Sequence, residues 1–167
     1  MKKLISALLL LLSFQTFGQK FCYVDSKYIM EEIPEYGIAM DQIDELSKKW
    51  QGELQTKKTE LDDLFQYFQA ESALLTPEMK RTREEEIIRK EKDLKELKHY
   101  YFGPEGLLYK KQQSMLKPIQ DQVFNAIEAY ADQYSYAIVF DKAGELIMLY
   151  TDERYNKSNE ILKKLGY

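Results

Sequence analysis

The stretch that decides the fold is residues 53–102, ELQTKKTELDDLFQYFQAESALLTPEMKRTREEEIIRKEKDLKELKHYYF, which contains one proline, Pro77, and no glycine. Most residues on either side of Pro77 favour helices. Thr76 is a suitable N-cap, Pro77 suits the first helical position, and the carboxylate of Glu78 is favourable at the positive end of a helix. The sequence therefore predicts a helix, a sharp reversal before Pro77, and a second helix that runs back.

The first helix extends outward to Pro34, another suitable first position. Its apolar residues follow three-and-four spacing and form a narrow stripe, as in a two-stranded coiled coil: Ile43, Leu46, Trp50, Leu54, Leu61, Leu64 and Phe68. Lys57 interrupts this seam, and charges such as Arg83 occupy the facing seam of the second helix. An arm of about 40 residues is roughly 60 Å long. We therefore expect a long projecting hairpin whose distal third is loosely packed.

Both ends of the chain contain short β-prone runs. The predicted strands are residues 20–24, 136–140 and 145–150, and Asp25 is a suitable cap for a short helix over 27–33. The apolar residues expected to form the core of this β body and its oligomer contacts are Phe21, Val24, Ile138, Phe140, Ile147 and Leu149. The predicted fold class is α+β, mostly α, with a small β body and an inserted helical hairpin.

The segment between the hairpin and the second strand predicts a further helix. Gly103 is a suitable end for the hairpin, Pro104 a suitable restart, and an apolar stripe runs from Leu108 to Tyr130. Pro118 lies inside this stripe and predicts a kink or a break. Asn156 or Ser158 can cap a final helix that ends at Leu165.

The N-terminus has the pattern of a secretory signal peptide. Basic residues at Lys2 and Lys3 precede an apolar run, and small residues at 16 and 18 predict cleavage after residue 18. Removing the two lysines leaves 22 basic against 28 acidic residues, a net charge of −6. This charge argues against nucleic acid as a partner. The leader favours the periplasm, and Cys22 is expected to be a buried apolar residue in a strand.

Catalytic and metal-binding patterns are missing from the sequence. His99 is the single histidine and stands in a charged helix without a ligand cluster of recognisable spacing. Glu84, Glu85 and Glu86 are consecutive, so on a helix they point in different directions. The sequence predicts no enzyme activity, no cofactor and no metal site.

Aromatic residues are unusually frequent, with 13 Tyr and 8 Phe. Several apolar residues of the hairpin cannot all face one seam, so part of their surface must remain available. That surface can pack against another copy of the chain or bind apolar partners, and both interpretations are open. The residues predicted to bind such partners are Trp50, Phe65, Tyr67, Phe68, Leu74, Leu75 and Met79.

The order of these motifs resembles the OmpH/Skp family of periplasmic chaperones over essentially the whole mature chain. The residues that carry the resemblance are the leader, Phe21–Ser26, Pro34–Tyr36, Phe102–Gly106, Lys117–Ile119, Tyr136–Asp141, Leu149–Tyr150 and the capped final helix. The resemblance implies one Skp-like domain over 19–167, with 19–33 and 119–167 as body and 34–118 as arm. It also implies a homotrimer that holds unfolded outer-membrane proteins between three arms without ATP.

Two features depart from the family pattern. Asn156-Lys157-Ser158 stands where the family usually has an Asp-x-Thr cap, a change that keeps capping ability. The best-known members are strongly basic, whereas this chain is acidic, so we expect weak or no binding to anionic lipid. The alternative function is a coiled-coil envelope spacer or adaptor that binds one folded partner. The interrupted seam and the many aromatic residues favour the holdase.

Overall fold

The computed structural model describes residues 20–144 and 147–167. Two strands and five helices follow in chain order: β1 (Lys20–Val24), α1 (Ser26–Glu31), α2 (Pro34–Glu71), α3 (Pro77–Phe102), α4 (Leu107–Tyr134), β2 (Tyr136–Asp141) and α5 (Ser158–Leu165), with a 3-10 turn at Glu153–Tyr155 before α5. The predicted signal peptide lies outside the described residues. The mostly helical α+β fold with a small sheet confirms the predicted fold class.

The helical hairpin has the ends that its sequence predicts. Pro34 and Pro77 occupy the first turns of α2 and α3. The Thr76 side chain caps α3, because its Oγ1 accepts a hydrogen bond from the backbone N–H of Met79 at 3.3 Å. The cap satisfies an N–H that the helix cannot pair internally. Local residue chemistry is therefore sufficient to place this reversal.

The predicted end of α3 at Gly103 is correct, but the predicted start of the next helix at Pro104 is not. The N–H of Gly103 donates to the carbonyl oxygen of His99 at 2.8 Å, and a Cβ at Gly103 would clash with that oxygen. Gly106 then donates to the Gly103 carbonyl at 2.9 Å. This turn places the start of α4 at Leu107, three residues after the predicted Pro104. Helix α4 continues through Pro118, so no break occurs there.

The two strands pair in parallel, with Phe21 opposite Ile138 and Tyr23 opposite Phe140. Parallel neighbours need a long crossover, and here the crossover contains the whole helical hairpin. The other edge of β1 bonds to the C-terminal segment, where Lys157 N–H donates to the Tyr23 carbonyl at 2.9 Å. The predicted third strand is wrong for residues 147–150, which are not in a strand; 145–146 lie outside the described residues. A β-prone segment needs a partner, and this one has none in the described part of its own chain.

The chain separates into two compact units. One contains the described residues up to Glu32 together with Gln122–Tyr167, and the other is Ile33–Asp121. The first unit contains the sheet and buries Cys22, Tyr23, Val24, Ile29, Val123, Ala126, Tyr130, Ile161 and Leu162. The second contains the hairpin. The division into body and arm predicted from the sequence, with limits at 33/34 and 118/119, stays a prediction.

A buried hydroxyl joins the two ends of the first unit. Ser158 is 1% exposed; its Oγ accepts from the N–H of Asp25 at 2.8 Å and donates to Asn156 Oδ1 at 2.7 Å. Asp25 in turn caps α1 by accepting from the N–H of Tyr28 at 3.0 Å, as the sequence predicts. Asn156 also accepts from the N–H of Ser158, the first residue of α5. One side chain therefore satisfies polar groups from both termini.

Replacing Ser158 with Ala should lower the free energy of unfolding by about 1–3 kcal/mol, because the half-buried Asp25 N–H and Asn156 Oδ1 each lose their bond to the buried hydroxyl. Urea denaturation followed by circular dichroism measures the change. Ser47→Ala is the matched control, since Ser47 accepts only an exposed bond from Gln51 and should change stability by less than about 0.5 kcal/mol. Equal effects of the two substitutions would contradict the role of Ser158.

Candidate functional site

Burial in the hairpin is confined to the first half of α2. The buried residues of α2 are Ala39, Ile43 and Trp50, and α3 buries none. Beyond Trp50 the apolar seam residues are only half-buried: Leu54, Leu61, Leu64, Phe68, Ile87, Leu94 and Leu97. Segments with few buried apolar contacts open more easily than a packed core. This distribution supports the loose distal packing predicted from the charged seam positions.

An aromatic cluster joins α2 to the end of α3. The ring of Trp50 stacks on Tyr101 with centroids 5.0 Å apart and planes at 6°, and Phe102 meets Trp50 edge-on at 6.4 Å. Tyr101 Oη donates to Glu53 Oε2 at 2.9 Å, which raises the pKa of the tyrosine. Offset-stacked and edge-on pairs of this kind are favourable beyond the area they bury. The cluster fixes the two helices relative to each other at this level.

The residues predicted to bind apolar partners differ widely in exposure. Trp50 is 7% exposed and offers little surface. Phe68 and Leu75 are half-buried. The exposed members are Phe65, Tyr67, Leu74 and Met79, with Leu74 at the reversal 87% exposed. The structure thus places an apolar surface near the end of the hairpin, and its role in binding stays a prediction.

Two cavities open along the hairpin between α2 and α3. The distal cavity, about 180 Å³, is lined by Leu64, Tyr67, Phe68, Glu71, Leu75 and Arg83. The proximal cavity, about 270 Å³, is lined by Lys57, Glu60, Lys90, Asp93, Leu94 and Leu97. Three of the distal lining residues were predicted as binding residues, whereas the proximal cavity was missed. The interruption of the seam by Lys57 was the available signal, because a charged side chain cannot fill an apolar seam.

The sheet unit carries a second apolar surface. Phe21 stacks on Tyr155 at 5.1 Å and meets Phe140 edge-on at 6.5 Å. An open cavity of about 420 Å³ lies beside these rings and is lined mainly by apolar residues: Phe21, Cys22, Tyr23, Phe140, Met148, Tyr150, Thr151, Asp152 and Tyr155.

The six residues predicted for the body core do not form one interior in the single chain. Val24 is buried and Phe140 is half-buried, whereas Phe21 and Ile138 are about half exposed. Ile147 and Leu149 are 84% and 96% exposed. Ile147 and Leu149 are exposed because they lie in the segment 147–150, which does not pair with the sheet, although Met148 and Tyr150 of the same segment line the cavity beside Phe21. The predicted participation of these residues in oligomer contacts stays a prediction.

The shifted pKa values of the titratable groups are explained by burial and by local hydrogen bonds. Burial, and secondarily the carboxylate of Glu160, raises the pKa of Tyr130 to about 12. Burial also raises the pKa of the Cys22 thiol, which keeps it protonated and a poor nucleophile. Hydrogen bonds from Arg154 lower the pKa of Asp152. Among the described residues, no group of His, Cys, Asp and Glu side chains is arranged to hold a metal ion.

Comparison with known proteins identifies the family. The sequence profile of the family described as outer membrane protein (OmpH-like) matches residues 20–165. The chain therefore belongs to the OmpH-like family, as its resemblance predicts. No curated protein sequence matches the chain.

A similar fold is found among solved structures. One of these is the 2.83 Å crystal structure of a candidate outer membrane chaperone (OmpH-like) from Caulobacter crescentus CB15. The two chains are 12% identical, with a TM-score of 0.67 over 88% of this chain and 83% of that one. In the part of the chain that the structure describes, no helix is long and apolar enough to cross a membrane.

The tryptophan fluorescence of the chain reports on the aromatic cluster, because Trp50 is the single tryptophan. We expect its emission to be poorly quenched by acrylamide, since the ring is stacked and largely covered. Tyr101→Ala should increase the quenching constant about twofold or more by uncovering one face of the indole. Tyr134→Ala is the control, because Tyr134 packs against Tyr130 and is not part of the Trp50 cluster. Strong quenching in the unsubstituted chain would contradict the buried position.

Proposed function

We propose that this protein is an ATP-independent holdase chaperone of the periplasm that binds unfolded outer-membrane proteins in a cavity between helical arms and prevents their aggregation. The observation that carries the proposal is the exposed apolar surface near the end of the hairpin, formed by Phe65, Tyr67, Leu74 and Met79. Membership of the OmpH-like family and the chaperone description of the structural neighbour support the same function.

The physical basis of holding is many weak contacts. Each buried methylene contributes about 0.8 kcal/mol, so several partial contacts retain an unfolded chain without any one of them fixing it. The charged side chains around the apolar positions keep the complex soluble. Because each contact is weak, the client can leave by stepwise dissociation, and ATP is not required.

Assembly into a homotrimer would provide the enclosed space. Strand β2 pairs only with β1 in the described chain, so its other edge remains available. Exposed sheet edges and large apolar patches mark association surfaces, and Ile147, Leu149 and Tyr150 are all highly exposed. We infer that copies associate through this unit in a closed ring, in agreement with the common cyclic symmetry of homo-oligomers.

The remaining partners follow from charge and export. The predicted leader favours the periplasm. The net negative charge argues against a nucleic-acid partner and favours weak or no binding to anionic lipid.

Light scattering coupled to size exclusion tests the trimer. We expect three chains per particle for the parent, and a smaller particle with unchanged helicity for Leu149→Lys, because a fully exposed position tolerates the charge until subunits meet. Ile88→Lys is the matched control, an exposed apolar residue of the hairpin that should leave the mass unchanged. A monomeric parent at micromolar concentration would refute the assembly.

Removal of the distal hairpin tests the holding surface. Deleting residues 65–88 and closing the gap with a short Gly-containing turn shortens each arm by roughly 15–18 Å at 1.5 Å per residue. We expect the trimer and its thermal stability to persist, because the removed residues include none that is buried. Suppression of aggregation of a urea-unfolded outer-membrane protein, measured as turbidity after dilution, should fall severalfold, because the proposed binding surface is lost.

A substitution pair separates surface chemistry from arm length. The first variant replaces Tyr67, Leu74 and Met79 together by Ser and should weaken holding. The second replaces Ile38, Met40 and Tyr109 together by Ser, which also removes exposed apolar surface, and should not weaken holding.

The truncated variant gives the decisive outcome for the proposal. If it protects the client as well as the full chain does, the holdase proposal fails and the spacer function gains support.

A further inference from the structure

The two hairpin cavities lie along the same pair of helical stripes. On α2 the lining residues Lys57, Glu60, Leu64, Tyr67 and Glu71 recur at spacings of three and four, so they share one helical stripe. On α3 the lining residues Arg83, Lys90, Leu94 and Leu97 are spaced by seven, four and three, and also share a stripe. Both cavities therefore lie along one line between α2 and α3. We call this surface the seam groove.

The spacing of the two cavities is set by the helix. Their lining residues on α2 are centred near positions 58 and 67, nine residues apart. At 1.5 Å per residue this corresponds to roughly 13–14 Å. An extended chain covers the same distance in four residues at about 3.4 Å per residue. Residues four apart in an extended chain point to the same side, so both can enter the groove at once.

The lining selects an uncharged occupant with apolar side chains. Leu64, Phe68, Leu75, Leu94 and Leu97 supply the apolar walls. The charges that line the two cavities balance: Lys57, Arg83 and Lys90 against Glu60, Glu71 and Asp93. A balanced set complements a neutral backbone edge, which presents N–H donors and C=O acceptors in turn. A strongly acidic or basic segment would meet like charge at either cavity.

We propose that the seam groove binds an extended segment of unfolded polypeptide in which apolar and polar residues alternate, with residues i and i+4 occupying the two cavities. This alternation is the pattern of transmembrane β-strands, whose lipid-facing and lumen-facing residues alternate over about ten residues. The inference rests on the proposed holdase function and deepens it, because it gives the arm a preference for strands of β-barrel proteins over other unfolded segments.

Two labelled peptides of about ten residues and identical composition test the preference by fluorescence anisotropy with the full chain. Both contain four Leu among Thr and Ser. In one, Leu alternates at positions 1, 3, 5 and 7; in the other, Leu recurs every third position, so that no two are four apart. We expect the alternating peptide to bind about fivefold more tightly or better, a difference of about 1 kcal/mol. Equal affinities overturn the proposal.

A matched pair of variants locates the binding. Leu64→Ser alters the distal cavity and should abolish the preference. Leu61→Ser removes the same side chain from a half-buried position three residues earlier that lines neither cavity, and should retain it. Leu94→Ser and Ile87→Ser form the corresponding pair for the proximal cavity. Circular dichroism verifies that all four variants remain helical. Equal losses within both pairs overturn the assignment of the groove.

The outcome is distinguishable from failure of the holdase function itself. If the parent suppresses client aggregation but does not discriminate between the peptides, holding stands and the seam groove proposal fails. If Leu64→Ser changes the mass of the oligomer while Leu61→Ser does not, the groove is occupied by a second copy, which also overturns the proposal. Absence of both peptide discrimination and holding would reject the two proposals together.

Discussion

The parallel pairing of β1 with β2 is the constraint on which the rest of the structure depends. Parallel neighbours cannot be joined by a tight turn, so the chain between Val24 and Tyr136 must leave the sheet and return. In this protein the crossover is enlarged into a helical hairpin of two long helices and the helix α4 that returns to the sheet. The Ser158 hydroxyl reinforces the closure by bonding to Asp25 from the opposite end of the sequence. The packing of the hairpin can vary without disturbing the sheet, because the sheet is held by the pairing of β1 with β2 and by the Ser158–Asp25 bond.

The uneven packing of the hairpin connects structure to the proposed function. The Trp50–Tyr101–Phe102 cluster fixes the helices at one level, and no described residue from Gln51 to Phe102 is buried. Helices in proteins gain most of their stability from a packed face, so this weakly packed region has a low free energy of local unfolding. Exposed i,i+4 ion pairs such as Arg81–Glu85 and Lys92–Glu96 add a few tenths of a kcal/mol each. They support the helices while the apolar seam residues stay only half-buried.

The arrangement of apolar surface is consistent with a protein that acts by binding other polypeptides. The hairpin surface and the cavity beside Phe21 are both apolar and open. Two buried ionisable groups, Cys22 and Tyr130, have their pKa values raised mainly by burial, which favours their neutral forms. In the proposed trimer the two surfaces have separate uses: the sheet unit joins copies, and the hairpin binds clients.

The sequence by itself determined the features that depend on neighbouring residues. Thr76, Pro77 and Glu78 specify the hairpin reversal, Pro34 specifies the start of α2, and Asp25 caps α1, because capping and proline effects act within one helical turn. The start of α4 is also local, because the N–H of Gly106 donates to the Gly103 carbonyl three residues earlier, but the glycine and proline pattern alone placed the start too early. Only the tertiary structure decided that residues 147–150 do not form a strand, because a strand requires a partner edge that no local pattern supplies. The burial of Trp50 was likewise decided by a non-local contact. Its seam spacing was visible in the sequence, but its burial depended on stacking against Tyr101, 51 positions along the chain.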